Sequence, residues 1–382
     1  MKTIIFAILL FTVPAFAQPV FSPEVAADGR VTFRLFAPNA NDVQVHCQDV
    51  SNSSMQKDGH SAWTLTTVPL APDFYDYSFT VDGVHVTDPS NPLLKYNLLN
   101  TENQVHVPGP LSLSWEINDV PHGVLHHHFY HSIVCGDDRD FIVYTPPGYD
   151  ASARKHYPVL YLLHGYSDDA SAWSTAGRAN VILDNLIARG QAKPMIVVMP
   201  LGYGTMEIVK NGWTRVQDPI LWQENMGKFT GALLDEVMPQ VEKFYHASKD
   251  RRDQAIAGLS MGGAESLVTG LNHLDRFAYV GSFSAGGLNT NYMGQFPGLD
   301  TGVNNQLRVL WIACGKDDHL LAGNQQFCAW LASKDIRYTW TESAGTHTYL
   351  VWRRDLTEFV PLLFRDKKPG WTSSFITYIS NL

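Results

Sequence analysis

Cysteine is scarce in this chain of 382 residues, with four in all: Cys47, Cys135, Cys314 and Cys328. So few in so long a chain exclude a disulfide-stapled scaffold. No Cys-x-x-Cys occurs, which removes the usual spacing of a structural zinc site. Buried free thiols are the expectation, and neither metal nor cofactor is implied. Runs of Lys or Arg are also missing: 28 basic residues face 37 acidic ones, for a net charge of -9. Nucleic acids and anionic membrane surfaces demand clustered positive charge, so both are poor partners for this chain. No internal repeat and no low-complexity tract is present. Past the first residues, no apolar run is long enough to span a bilayer. What remains is ordinary globular composition, 45% apolar and 17% charged, suited to a neutral, sugar-like or aromatic substrate.

The one apolar run of note opens the chain. "MKTIIFAILLFTVPAFAQ" carries one Lys, an apolar stretch from Ile4 to Val13 and then Ala15-Phe16-Ala17. A short apolar stretch closed by a small-x-small triplet reads as a leader cleaved after Ala17. The mature protein is therefore expected in the periplasm or outside the cell, with no membrane span and an oligomeric state the sequence leaves open.

Two textures follow. From Phe21 to Val107, "VTFRLFAP", "DVQVHC" and "YDYSFTVDG" alternate apolar and polar residues, and no helical stretch intervenes. This predicts a small all-β, immunoglobulin-like sandwich over 18–110. Pro108-Gly109-Pro110 marks a break, and 111–138 reads as a connecting segment. From there to residue 366 the runs are continuously apolar, as in "YPVLYLLHG" and "PMIVVMP". Such runs suit parallel strands buried on both faces. Helical stretches separate them, expected over 171–189, 224–246, 261–274, 321–333 and 349–364. The alternation predicts an α/β fold, a mostly parallel sheet covered on both sides, followed by an uninterpreted tail over 367–382. Ligands of such sheets sit beyond the carboxyl ends of the strands.

Candidate chemistry falls at those ends. "AIAGLSMGG" is an apolar strand, a Gly-x-Ser-x-Gly turn and a small-residue helix, which is the context a nucleophile elbow needs around Ser260. A serine hydroxyl needs a base, and the base needs an orienting carboxylate. In α/β-hydrolases these follow in the order Ser, acid, His. "VLWIACGKDDHL" runs a buried strand into Asp317, Asp318 and His319. "YTWTESAGTHTYLVW" ends another strand near His347. His347 fits the order and the edge better than His319, adjacent to the acids, or His273, on the helix after the elbow. Spacing alone leaves Asp317 and Asp318 open. For an oxyanion, one backbone donor is the amide of Met261, and the loop after "YLLHGYSDD" offers that of Tyr166. His164 reads as a structural residue of that loop.

Taken together, "YPVLYLLHGYSDD", "AIAGLSMGG", "LWIACGKDDHL" and "AGTHTYLVWRRDL" resemble the esterase D-like α/β-hydrolases over 139 to 364. That group includes feruloyl and related carbohydrate esterases as well as enterochelin esterases. The resemblance implies an α/β-hydrolase domain and a serine esterase in which Asp318 is the acid and His347 the base. It departs from the family pattern at His319, where an aromatic residue is expected. The β region resembles an isoamylase-type early-set domain, related to glycogen-binding modules. The resulting expectation is an exported esterase of feruloyl or acetyl groups on plant polysaccharide. A siderophore trilactone esterase and a non-catalytic glycan-binding protein are the alternatives.

Other features stay two-sided. Trp213 and Trp222 lie after the strand ending at Pro200 and read equally as a substrate wall or as packing. Trp173, close to the oxyanion loop, is ambiguous in the same way. Trp63, Tyr75 and Tyr77 suit either a weak glycan-stacking platform or a sandwich core. His122, His126, His127, His128 and His131 crowd "HGVLHHHFYHS", yet on a strand they diverge to two faces, which argues against a metal site.

Overall fold

The computed structural model describes residues 21–365, apart from 155 and 211. The expected leader, with its cleavage after Ala17, and the tail over 367–382 lie outside the described residues. Contacts divide the chain into two units: one up to Leu70 with Ser78–Pro92, the other Ala71–Tyr77 with everything from Leu93 onward.

The first unit carries antiparallel β-structure. Glu24–Val25, Val31–Phe36, Ala62–Thr66 and Gln56–Lys57 pair in that order. Val31, Phe33 and Leu35 point inward, which explains the alternation read from the sequence. Trp63 is 8% exposed and donates its indole N–H to the Ala37 carbonyl. In the second unit, Tyr75 and Tyr77 are equally buried. All three aromatics are core residues, so they form no exposed stacking platform.

The second unit is built on an eight-stranded sheet: β1 (Val124–Ser132), β2 (Asp137–Thr145), β3 (Val159–Leu163), β4 (Ile196–Pro200), β5 (Gln254–Leu259), β6 (Tyr279–Phe283), β7 (Val309–Gly315) and β8 (Thr339–Ser343). Their order in the sheet is 1-2-4-3-5-6-7-8. The β1–β2 and β2–β4 pairs are antiparallel and the remaining pairs parallel. Every residue of β3 through β7 is buried, the reason these runs are continuously apolar. Leu160, Leu162, Ala255 and Ala257 pack on one face, Val159, Tyr161, Leu163 and Ile256 on the other. Helices Ala179–Ala188 and Tyr349–Phe359 cover the first face. Helices Pro219–Ala232, Met238–Phe244 and Leu321–Ser333 cover the second. Among the described residues no helix is long and apolar enough to cross a membrane.

Three sequence expectations shift. The connecting segment over 111–138 contains β1, whose nine-residue register with β2 makes it the edge of the sheet. Its histidines take separate partners: His127 faces Asp140, His131 faces Asp138, and His126 faces Thr145. The helix expected from residue 171 begins at Ala179, because turns wrap the buried Trp173 first and Arg178 stands at φ 52. The helix expected over 224–246 is interrupted by a π turn at Leu233–Val237. Pro239 follows, lacking the N–H that a regular helix would donate, and the wider turn accommodates it.

Candidate active site

Ser260 stands between β5 and the helix Met261–Asn272, at φ 51 and ψ -116. That is a strained region for a residue with a side chain, and it persists only where the surroundings impose it. Here they do. The Ser260 amide donates to the Phe283 carbonyl at 2.9 Å, and the Ser260 carbonyl accepts from Gly286 at 2.9 Å and from Ala264 at 3.1 Å. Strand and helix approach so closely that a Cβ on Gly262 would fall 2.4 Å from the His164 carbonyl oxygen. One on Gly258 would fall 2.5 Å from the Gly262 oxygen. Both glycines are thus required by contact rather than by loop flexibility.

Two turns carry the partners. The turn after β7 and the turn after β8 are laced together by Lys316 donating to Ser343 at 2.8 Å and Asp317 donating to Gly345 at 3.0 Å. The close crossing leaves no room on Gly315, where a Cβ would sit 2.4 Å from the Gly345 oxygen. Asp318 is thereby turned inward and buried, while Asp317 is exposed. His347 donates from Nδ1 to Asp318 Oδ2 at 2.8 Å and accepts at Nε2 from the Ser260 hydroxyl at 2.9 Å. Burial raises the Asp318 carboxyl, but the His347 hydrogen bond and charge, with the Leu320 amide, outweigh it and hold it below the ordinary carboxylate range. The acid therefore stays ionised and fixes the imidazole with its bare nitrogen toward Ser260. Trp352 meets the His347 ring edge-on at 4.8 Å and donates to Ser284 Oγ at 3.2 Å. His319 stays on the exposed rim, its ring 4.9 Å from that of His347. His273 caps the far end of the helix after Ser260.

The loop after β3 closes the other side. A Cβ on Gly165 would lie 3.3 Å from that of Ser260, which sets the Gly165–Tyr166 backbone beside the hydroxyl. Met261 opens the helix, where amides have no intrahelical acceptor. The loop is anchored from beneath. His164 donates from Nδ1 to the Gly165 carbonyl and accepts at Nε2 from the Gly202 amide, both at 2.8 Å. Asp168, fully buried in the same loop, accepts from Tyr349 at 2.8 Å and from Asn97 at 3.1 Å. Leu98 donates to the Ser167 carbonyl at 2.7 Å. Little in the local sequence marks Asn97, Asp168 and Tyr349. The paired acids directly after His-Gly-Tyr-Ser were their one local signal.

The tryptophans part company. Trp173 is fully buried and donates to the Leu163 carbonyl at 2.8 Å. It supports the loop from the core and lines no open pocket, because its indole N–H is spent on the strand beneath. Trp213 is 62% exposed, its ring tilted against Tyr166 at 4.8 Å. Tyr166 itself is buried, its hydroxyl donating to Ile208 or Gly212. It joins Met261, Leu221 and Tyr203 in a small apolar cluster bordered by Leu99 and Trp222.

Cys135, Cys314 and Cys328 are free thiols. Among the described residues, one group offers three metal-type ligands together, Asp318, His319 and His347, with ligand atoms within 4.8 Å. Asp318 and His347 already spend theirs on each other and on Ser260.

One acid near this site carries a pH signature. Asp355, fully buried on the helix after His347, accepts from Ser343 at 2.8 Å, and its other oxygen has no partner. Burial pushes its carboxyl up to about 7. The folded state therefore keeps a proton that the unfolded chain releases near pH 4, and that contribution is lost as pH rises through about 7. Asp355→Asn is expected to match the wild type at pH 4 and to exceed it at pH 9, by on the order of 4 kcal/mol. Urea denaturation at both pH values checks this.

Comparisons with known proteins meet this geometry. Residues 132–316 match the sequence model of the family described as "Putative esterase". An endo-1,4-beta-xylanase/feruloyl esterase of Xylanibacter ruminicola is 30% identical over 359 residues, 90% of this chain. The chain spans 46% of that relative's length. A ferulic acid esterase structure from Anaeromyces mucronatus superposes with a TM-score of 0.57 at 25% identity, covering 67% of this chain and 96% of that one. The enterobactin esterase of Shigella flexneri superposes with a TM-score of 0.65 over 87% of this chain and 92% of its own, at 21% identity, a likeness of fold alone. Over residues 132–316, then, the chain is similar to the esterase family, and its sheet has the α/β-hydrolase fold of the ferulic acid esterase structure.

Proposed function

We propose that the protein is a serine esterase that removes feruloyl or acetyl groups from plant polysaccharide. The observation that carries this is the unbroken hydrogen-bond line from Asp318 through His347 to a strained, strand-end Ser260. In this reading Ser260 Oγ attacks the ester carbonyl while His347 Nε2 takes its proton. The imidazolium, steadied by Asp318, returns the proton to the leaving alcohol. The Met261 and Tyr166 amides receive the oxyanion. Water activated by His347 then releases the acid and restores Ser260. The exposed Trp213 against Tyr166 is suited to a planar phenolic acyl group. The leader-like N-terminus supports export to where such polymers lie.

The polysaccharide reading is supported by the relative named for xylanase and feruloyl esterase activities. A siderophore trilactone is the weaker reading, since the enterobactin esterase likeness is one of fold. The intact Ser-His-Asp line speaks against a non-catalytic glycan binder. Incubating the protein with arabinoxylan, and quantifying ferulate and acetate, tests the assignment. Release of either acid by the wild type and not by Ser260→Ala is expected. Loss of neither product in the variant would overturn the roles given to Ser260 and His347.

A further inference from the structure

Two clefts lie on opposite edges of the sheet. One, of about 510 Å³, is bordered by Tyr157, Lys193, Asp250, Arg252 and Arg308, just before strands begin, and is strongly charged. The other, of about 840 Å³, lies between the helix Pro219–Ala232 and the loop Gly287–Gln295 that follows β6. It is on the active edge, and no Asp, Glu, Lys, Arg or His is among the described residues that line it. In a chain of net charge -9, an uncharged cleft of this size selects against ionic ligands.

Its lining joins carboxamides and an indole to the apolar side chains of Met226, Val268 and Leu288. Asn289 Oδ1 accepts from the Asn291 amide at 2.8 Å, Asn291 Oδ1 from Gly294 at 3.1 Å, and Gln295 Oε1 from Asn289 at 3.2 Å. Each side chain thus spends its oxygen on the loop and keeps an NH2 group as donor. Trp222 packs tightly against the loop, since a Cβ on Gly287 would fall 2.0 Å from its ring. Its indole Nε1 is buried with no partner in the protein, so the surface it offers the cleft is that of the ring carbons. The wall of the cleft adjoins the nucleophile in sequence: Gly286, next to the lining residue Gly287, is placed so that a Cβ on it would lie 3.4 Å from Ser260 Oγ.

We propose that this cleft is a binding site for a neutral, hydroxyl-rich sugar chain, holding the alcohol side of the ester while the acyl group lies at Ser260. Trp222 offers a face to the pyranose C–H surface, and the carboxamides donate to ring and hydroxyl oxygens. The inference rests on the esterase reading but is tested apart from it.

Gly227 lies on the cleft wall in open space, with no atom within 4 Å of an added Cβ. Gly227→Trp therefore fills the cleft without a clash at Cβ. We expect kcat/KM on a feruloylated arabinoxylo-oligosaccharide to fall at least tenfold, with methyl ferulate changed less than twofold. Equal loss on both substrates, or on neither, overturns the proposal. Gln223→Ala, exposed on the same wall, is expected to lose threefold or more on the oligosaccharide alone, and covers the case of a misfolded Gly227→Trp. Independently of catalysis, unesterified xylo-oligosaccharide should quench the tryptophan fluorescence of Ser260→Ala and lose that effect in Ser260→Ala/Gly227→Trp. No binding to Ser260→Ala also overturns the cleft. Binding without hydrolysis of any ester by the wild type would keep the cleft and sink the esterase reading.

Discussion

Ser260→Ala lowers kcat on any ester the protein cleaves by about 10⁴- to 10⁶-fold, and His347→Ala costs about as much. The double variant loses little more. Non-additivity is expected because the hydroxyl and the imidazole act as one unit across the 2.9 Å hydrogen bond between them. Without the base, the hydroxyl is a poor nucleophile at neutral pH. Without the hydroxyl, the base has nothing to activate. The fold should be untouched: the Ser260 side chain hydrogen-bonds to His347, whereas the turn is held by backbone bonds to Phe283, Gly286 and Ala264. Steady-state kinetics with a chromogenic acetate, read beside thermal unfolding, separates the two effects. Losses that multiply across the double variant would mean that the two residues act independently.

Arg353→Leu is expected to destabilise the protein by about 3–5 kcal/mol. Arg353 is fully buried on the helix after His347. It donates to Asp73 Oδ1 at 2.7 Å and to the carbonyls of Phe74 at 2.7 Å and Ala176 at 2.5 Å. Burial outweighs the attraction of Arg353 and leaves the Asp73 carboxyl above its ordinary range, so the pair itself is no large net gain. The loss comes from stranding. Leucine would leave two carbonyls without that donor and the Asp73 carboxyl with only the Phe74 amide on it, in a place water does not reach. Arg353→Lys should recover little, because one ammonium cannot span the fork that the guanidinium serves. Replacing both Arg353 and Asp73 with leucine should recover part of the stability. Urea midpoints of the single and double variants decide it.

The elbow was readable because its causes are local. A strand, two glycines at fixed offsets and a small-residue helix are all within a dozen residues, and steric demand at Gly258 and Gly262 is written into the motif. The continuous apolar strands were readable for a similar reason, since burial on both faces removes the need for polar alternation. The first sheet strand was readable as a strand but not as part of this sheet, because β1 is exposed along most of its length and rich in histidine. Its place follows from pairing with β2, a partner that composition does not announce.

Trp173 and Trp213 show the limit most plainly. Both are indoles a short way past a strand at the active edge. One is fully buried in the core and the other 62% exposed beside Tyr166. Nothing in either local sequence separates them, for the difference lies in what packs from elsewhere in the chain. Asp317 and Asp318 pose the same problem at one-residue spacing.

The sequence by itself determined the α/β architecture, the nucleophile turn and the order serine, acid, histidine, because periodicity and glycine placement are properties of contiguous residues. The tertiary structure turned inward the aspartate, Asp318, that the family resemblance implied, and alone decided which tryptophan meets solvent, what anchors the loop at Asp168, and that an uncharged cleft opens on the active edge. Each of these depends on segments far apart in the chain meeting in space: two laced turns, a tyrosine from a distant helix, a loop laid against an indole. Such meetings are set by packing and by hydrogen bonds that only close once the sheet has formed.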